Sequence, residues 1–190
     1  MDNSGGPRKL GPVDVDELRE RYSDLVVPAC EWRAMGLADP HDMAEEVFAR
    51  LDSSSGHSLK DLYASIDKVV LATYQRYAGA TSVLDKLRSG MVLVGPRSKR
   101  TPADDFLEAL SNLRGADRNL IQLRFWDDLD DAEAGEVLGL NVEGVRERLA
   151  RAGTRYLGKL SRSHPDLALT DVEDTVRSIK PGVYRRFPGG

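Results

Sequence analysis

Ala132-Glu133-Ala134-Gly135-Glu136-Val137-Leu138-Gly139-Leu140-Asn141-Val142-Glu143-Gly144-Val145-Arg146-Glu147-Arg148-Leu149 is the stretch that decides the fold. A first helix carries small residues on its inner face. Gly139 then breaks it where the chain has to turn sharply, because glycine reaches φ > 0 without a Cβ clash. Asn141 is placed to cap a second helix, on which Val145 and Leu149 lie four apart on the buried face. That second helix presents Arg146, Arg148, Arg151 and Arg155. The spacing predicts a helix-turn-helix whose second helix enters a DNA major groove, early residues near base edges and arginines near phosphates.

Charge follows the same division. From Val142 to Arg162 there are six Lys or Arg against two Glu, whereas Asp127 to Glu136 holds six acids and no base. An acidic first helix followed by a basic second one fits DNA binding through the second. The net charge of -4 argues against a protein that coats nucleic acid by charge alone. The single cysteine, Cys30, excludes an intrachain disulfide framework and suits a reducing, cytoplasmic setting. The Gly-rich polar start does not read as a signal peptide. No apolar run approaches the roughly 20 residues of a membrane-spanning helix.

Working outward, the chain reads as all-α: two small helical domains and a linker. Residues 1–12 read as a disordered arm. The N-terminal domain, 13–79, holds three helices. Val13 to Arg33 comes first, with Pro28 as a kink or a break. The second opens at Asp39-Pro40, an N-cap followed by proline at the first position, and runs to about Leu51. The third runs from Leu59 to about Tyr77 and has the wide apolar face of a helix central to a bundle. Residues 80–102 read as a linker, with Gly90, Gly95, Pro96 and a basic patch at Arg97 to Arg100, and a short helix at 82–88. The C-terminal domain, 103–163, holds helices near 103–113, 116–126, 130–138 and 142–161. The tail, 164–190, has one weak helix near 170–179. Its Tyr184-Arg185-Arg186-Phe187 reads as part of a disordered end.

This layout resembles the bacterial RNA polymerase sigma factors of the sigma-70 family, in particular the two-domain extracytoplasmic-function (ECF) group. Three runs carry the resemblance: Leu110-Ser111-Asn112-Leu113 with Asp117 to Phe125, then Ala132 to Leu149, and in the N-terminal domain Asp39-Pro40-His41-Asp42-Met43-Ala44-Glu45-Glu46-Val47-Phe48. The resemblance implies that the N-terminal domain docks on core RNA polymerase and captures the opened −10 element, and that the C-terminal domain reads the −35 element of promoter DNA. By position, Asp42, Glu45 and Glu46 would be the polymerase-facing acids, whose alternative is plain solvated charge. Val142, Glu143, Gly144, Arg146 and Glu147 would lie nearest the bases, and Arg148, Arg151 and Arg155 nearest the backbone. An anti-sigma factor, which the family often has, is a further implied partner.

The third helix departs from the family pattern: Val69 stands where the family has Asn, and Thr73 where it has Asp. Lys68, Tyr74 and Arg76, with Tyr77, Lys86 and Arg88 beyond them, are candidates for capturing a single strand, a task that needs cations and stacking rings. A tyrosine at helical spacing also reads as core. Ala134 and Gly135 replace the larger Ile and Ala of the family's first motif helix, an exchange expected to loosen its packing. Arg151-Ala152-Gly153 follows where the family often has Arg-Ala-Arg. Three readings stay open: an initiating sigma factor, a sigma-like protein that does not itself initiate, and an ordinary helix-turn-helix regulator whose N-terminal domain dimerises or senses a ligand. His41, His57 and His164 are scattered and no catalytic, metal or cofactor motif is present, so the chain does not read as an enzyme. Asp127, Asp128, Asp130 and Asp131 read as helix-dipole partners and solvated loop.

Overall fold

The computed structural model describes residues 12–51, 55–78 and 101–181, and among these there are eight α-helices and no strand. They are α1 (Val15–Ala34), α2 (Pro40–Ala49), α3 (Leu59–Ala78), α4 (Pro102–Ser111), α5 (Gly115–Phe125), α6 (Asp131–Leu138), α7 (Val142–Leu160) and α8 (Val172–Ser178), with a 3-10 turn at Leu169–Asp171 leading into the last. The all-α expectation is met. All of the expected 1–12 arm except Pro12, the short helix and basic patch expected within 82–100, and Tyr184 to Phe187 lie outside the described residues.

Local chemistry sets most of the helix starts. Asp14 caps α1 by accepting from Glu17 N at 2.8 Å. Asp39 caps α2 by accepting from His41 N at 2.8 Å, with Pro40 in the first turn, where its missing N–H costs nothing. Thr101 and Asp104 cap α4 reciprocally, as Asp130 and Glu133 do α6. Each cap satisfies backbone donors that the first turn leaves without an intrahelical acceptor. Pro28 neither splits nor ends α1. It deprives the Asp24 carbonyl of an intrahelical donor, and both Asp24 and Pro28 lie on the exposed side of the helix.

Two apolar clusters organise these helices. The second packs Ala109, Leu110, Ile121, Phe125 and Tyr156 with Val172, Val176 and Ile179. The C-terminal segment therefore is not a loose end through residue 180: α8 completes a core. Val176 and Ile179 are fully buried, and Trp126 Nε1 donates to Val176 O at 2.8 Å. The first cluster crosses the boundary expected between the two domains. It joins Leu18, Val26, Val47 and Ile66 of α1 to α3 with Leu120, Leu123, Leu129, Ala134 and Val145. α3 and α6 pack together, and the Leu59 amide at the start of α3 donates to Glu136 Oε1 at 2.8 Å.

Candidate nucleic-acid interface

α6 and α7 are joined by Gly139, Leu140 and Asn141. Gly139 ends α6 at φ 67°, ψ 37°, the left-handed conformation, and its amide donates to Gly135 O. The Leu140 amide donates to the same carbonyl at 2.9 Å. This closure brings the turn so near that a Cβ on Gly135 would lie 2.5 Å from Leu140 O. Glycine at 135 does not loosen the packing as expected. It is what lets the turn fold back onto α6. Asn141 Oδ1 accepts from Gly144 N at 2.7 Å and starts α7, and Val145 is fully buried beneath the turn.

The first turns of α7 face water. Val142 is 37% exposed, and Glu143, Arg146, Glu147 and Arg151 are exposed as well, with Gly144 half-buried. Arg146 Nε holds Asp131 Oδ2 at 2.8 Å, which ties the two helices across the turn. Glu147 and Arg151 pair along the helix at 3.4 Å. Arg148 and Arg155 lean the other way, toward Asp117 in the first turn of α5. Arg155 Nη1 lies 2.5 Å from Asp117 Oδ2 and Arg148 Nε 3.4 Å from Oδ1, while the Asp117 side chain is only 5% exposed. Arg114, Arg148, Arg151 and Arg155 thus line one crevice of about 360 Å³ with a single carboxylate at its base. Sequence reasoning missed Asp117. Its signal was two arginines seven apart on one helical face, which need an acid if they are to be fixed.

On α2 the apolar residues Met43, Ala44, Val47 and Phe48 turn inward, and Asp42 and Glu45 are exposed. Glu45 takes Arg19 of α1 at 2.7 Å and Glu46 takes Arg50 at 2.6 Å. The acids therefore share one outer face, two of them with cation partners. On α3, Lys68 and Arg76 are exposed, but Val69 and Thr73 are buried. Tyr74 takes the core side of its two readings: it is 7% exposed and its hydroxyl donates to Arg33 O at 2.9 Å. Its ring is core, and no face of it is open to a base.

Of the acids after α5, Asp128, Asp130 and Asp131 sit as expected in the loop and first turn, and only Asp127 departs from the expectation. Asp130 caps α6, and Asp131 takes Arg124 and Arg146. Asp128 Oδ1 meets Arg177 Nη1 at 2.5 Å. Asp127 is not solvated at all: its side chain has no exposed surface. It binds Arg33 through both oxygens, Nη1–Oδ1 at 3.0 Å and Nη2–Oδ2 at 2.7 Å, and accepts from Trp32 Nε1 at 2.6 Å. Burial opposes charge on the Arg33 guanidinium, but the Asp127 charge and hydrogen bonds more than offset it and hold that guanidinium protonated. Its Cζ also lies 4.1 Å from the centre of the Trp32 ring.

Among known proteins, the chain is 26% identical over 155 residues to the ECF RNA polymerase sigma factor BldN of Streptomyces coelicolor; the match takes in 75% of this chain and 58% of BldN. The relationship this supports is to the sigma-70 family. No family model matches the chain, and no solved structure does. The chain spans under two thirds of that relative's length. A match over 75% of the chain cannot be confined to either half, so it draws on both helical groups. No helix among the described residues is long and apolar enough to cross a membrane.

Proposed function

We propose that this protein is an RNA polymerase sigma factor that binds core polymerase and directs promoter-specific initiation. In this reading α6 and α7 form a helix-turn-helix that reads promoter DNA. Val142, Glu143, Gly144, Arg146 and Glu147 approach base edges, and Arg148, Arg151 and Arg155 approach phosphates. Asp42, Glu45 and Glu46 on α2 meet a basic surface of the polymerase, through contacts that also steer association. What carries the reading is the similarity to a sigma factor across both halves, in a chain whose α7 leaves its first turns open to a groove. Asp117 adds a refinement: by holding Arg148 and Arg155 from below it restricts their side chains in advance, which lowers the entropic cost of a phosphate contact.

Two variants test the two surfaces separately. Reversing Asp42 and Glu46 to Lys is expected to abolish co-purification with core polymerase while leaving DNA binding by the chain intact. Arg146→Ala with Arg151→Ala is expected to weaken promoter binding at least tenfold and leave polymerase binding unchanged. Both effects absent would remove the reading. A sigma-like protein that binds polymerase without initiating is the second reading, and the burial of Tyr74 and Thr73 favours it. Among the described residues, strand capture would then rest on Lys68 and Arg76.

A further inference from the structure

Four guanidinium groups meet at the start of α5. Arg114 comes from that start, and Arg148, Arg151 and Arg155 come from α7. They line a crevice of about 360 Å³ whose apolar lining is Ala116 and Leu140. The volume lies within the range of small-ligand pockets. The space beside Gly115 is open, since a Cβ there would meet nothing within 4 Å. Acids do not balance these cations. Arg148 and Arg155 share the single carboxylate of Asp117. Arg151 has Glu147 at 3.4 Å, with both side chains mostly exposed, a pairing that solvent screens. Arg114 is exposed and has no acidic partner among the described residues. A concave site lined by one sign of charge focuses its field and concentrates counter-ions there.

We propose that this crevice binds a free polyphosphate chain, inorganic or carried by a nucleotide, and that the bound chain displaces DNA from α7. The displacement rests on the DNA reading of α7 given above; the binding does not. A planar guanidinium takes two phosphate oxygens at once, and linked phosphates offer several such pairs within one crevice. A duplex strand separates its phosphates by a sugar, so the crevice meets them singly, whereas a polyphosphate brings several charges to the same place. Asp117 sets where the chain sits. Its carboxylate lies at the base, only 5% exposed, and holds two of the arginines in place. Being negative, it keeps an anion at the mouth, where Arg114, Arg151 and the exposed Arg155 supply the donors. Arg151 and Arg155 are among the residues that DNA phosphates would use, so the two occupants exclude one another.

Arg114 separates the two ligands, because it lies outside α6 and α7 and its side chain caps no helix. Titration calorimetry of the full chain with inorganic tripolyphosphate should show saturable binding that sulfate at the same ionic strength does not reproduce. Arg114→Ala should weaken that binding about tenfold, the loss of one charge-assisted contact. The same variant should keep its affinity for a short mixed-sequence duplex. Tripolyphosphate should displace this duplex from the unaltered chain, and correspondingly more should be needed with Arg114→Ala. Arg162→Ala removes an exposed cation outside the crevice and should change neither affinity. Absence of saturable binding would overturn the proposal. Equal weakening by Arg162→Ala would overturn it too, as the mark of diffuse charge. If Arg114→Ala loses duplex and tripolyphosphate affinity in step, the crevice is part of a DNA-backbone surface and the proposal falls. Saturable binding that displaces no duplex would overturn the competition. Tripolyphosphate bound by a chain that binds no duplex would uphold the site and count instead against the DNA reading of α7.

Discussion

Groups taken out of water decide how single residues respond to pH, and two of them sit in different cores. Burial pushes the Cys30 thiol up to about 11, with Arg33 drawing it down and Asp127 raising it. Burial pushes the Tyr156 hydroxyl up to about 12. Both are neutral acids whose folded values exceed the unfolded ones, near 9 and 10. Their contribution is therefore complete below about pH 9 and is lost as pH rises, through 9–11 for Cys30 and 10–12 for Tyr156. Urea denaturation across that range should show stability falling from about pH 9, and Cys30→Ala should remove the earlier part of the fall. A flat profile to pH 11 would contradict the burial of both. At native pH the same burial should protect Cys30 from alkylating reagents until the protein opens.

At the scale of elements, the α6–α7 turn is the place where single atoms matter most. Gly139→Ala puts a Cβ into a left-handed conformation and is expected to cost about 1–2 kcal/mol. Gly135→Ala is expected to cost more than that, because the obstacle is the Leu140 carbonyl, backbone that cannot move aside. Melting of the two variants checks the order, and a neutral Gly135→Ala would mean that the turn does not close as described. Helix starts were legible because caps are local: Asp39-Pro40 and Asn141 each declare a first turn within three or four residues. The role of Gly135 was not, since a residue's neighbour across a turn is invisible until the turn is built. Nor was the seat of α8. Seven residues show less than two helical turns, and Val172, Val176 and Ile179 become a core face only against Trp126 and Tyr156.

At the scale of the whole molecule, charge and apolar pattern divided the chain into two helical groups but gave no sign of what joins them. Arg33 and Asp127 each look like surface charge in their own segments, and only the fold brings them together and excludes water. The same limit applies to Tyr74, whose helical spacing fitted either a stacking platform or a core ring until the Arg33 carbonyl was found against its hydroxyl. The outward acids of α2 and the open first turns of α7 were readable, because amphipathic periodicity alone predicts which side of a helix meets water. Whether these two surfaces work together on one promoter is decided most directly by transcription from a genomic fragment library, using purified cognate core polymerase with and without this protein. The account predicts new discrete start sites that share −10 and −35 elements and appear only when the protein is added. An unchanged set of start sites, with the protein bound to polymerase, would contradict initiation and leave the sigma-like binding protein in its place.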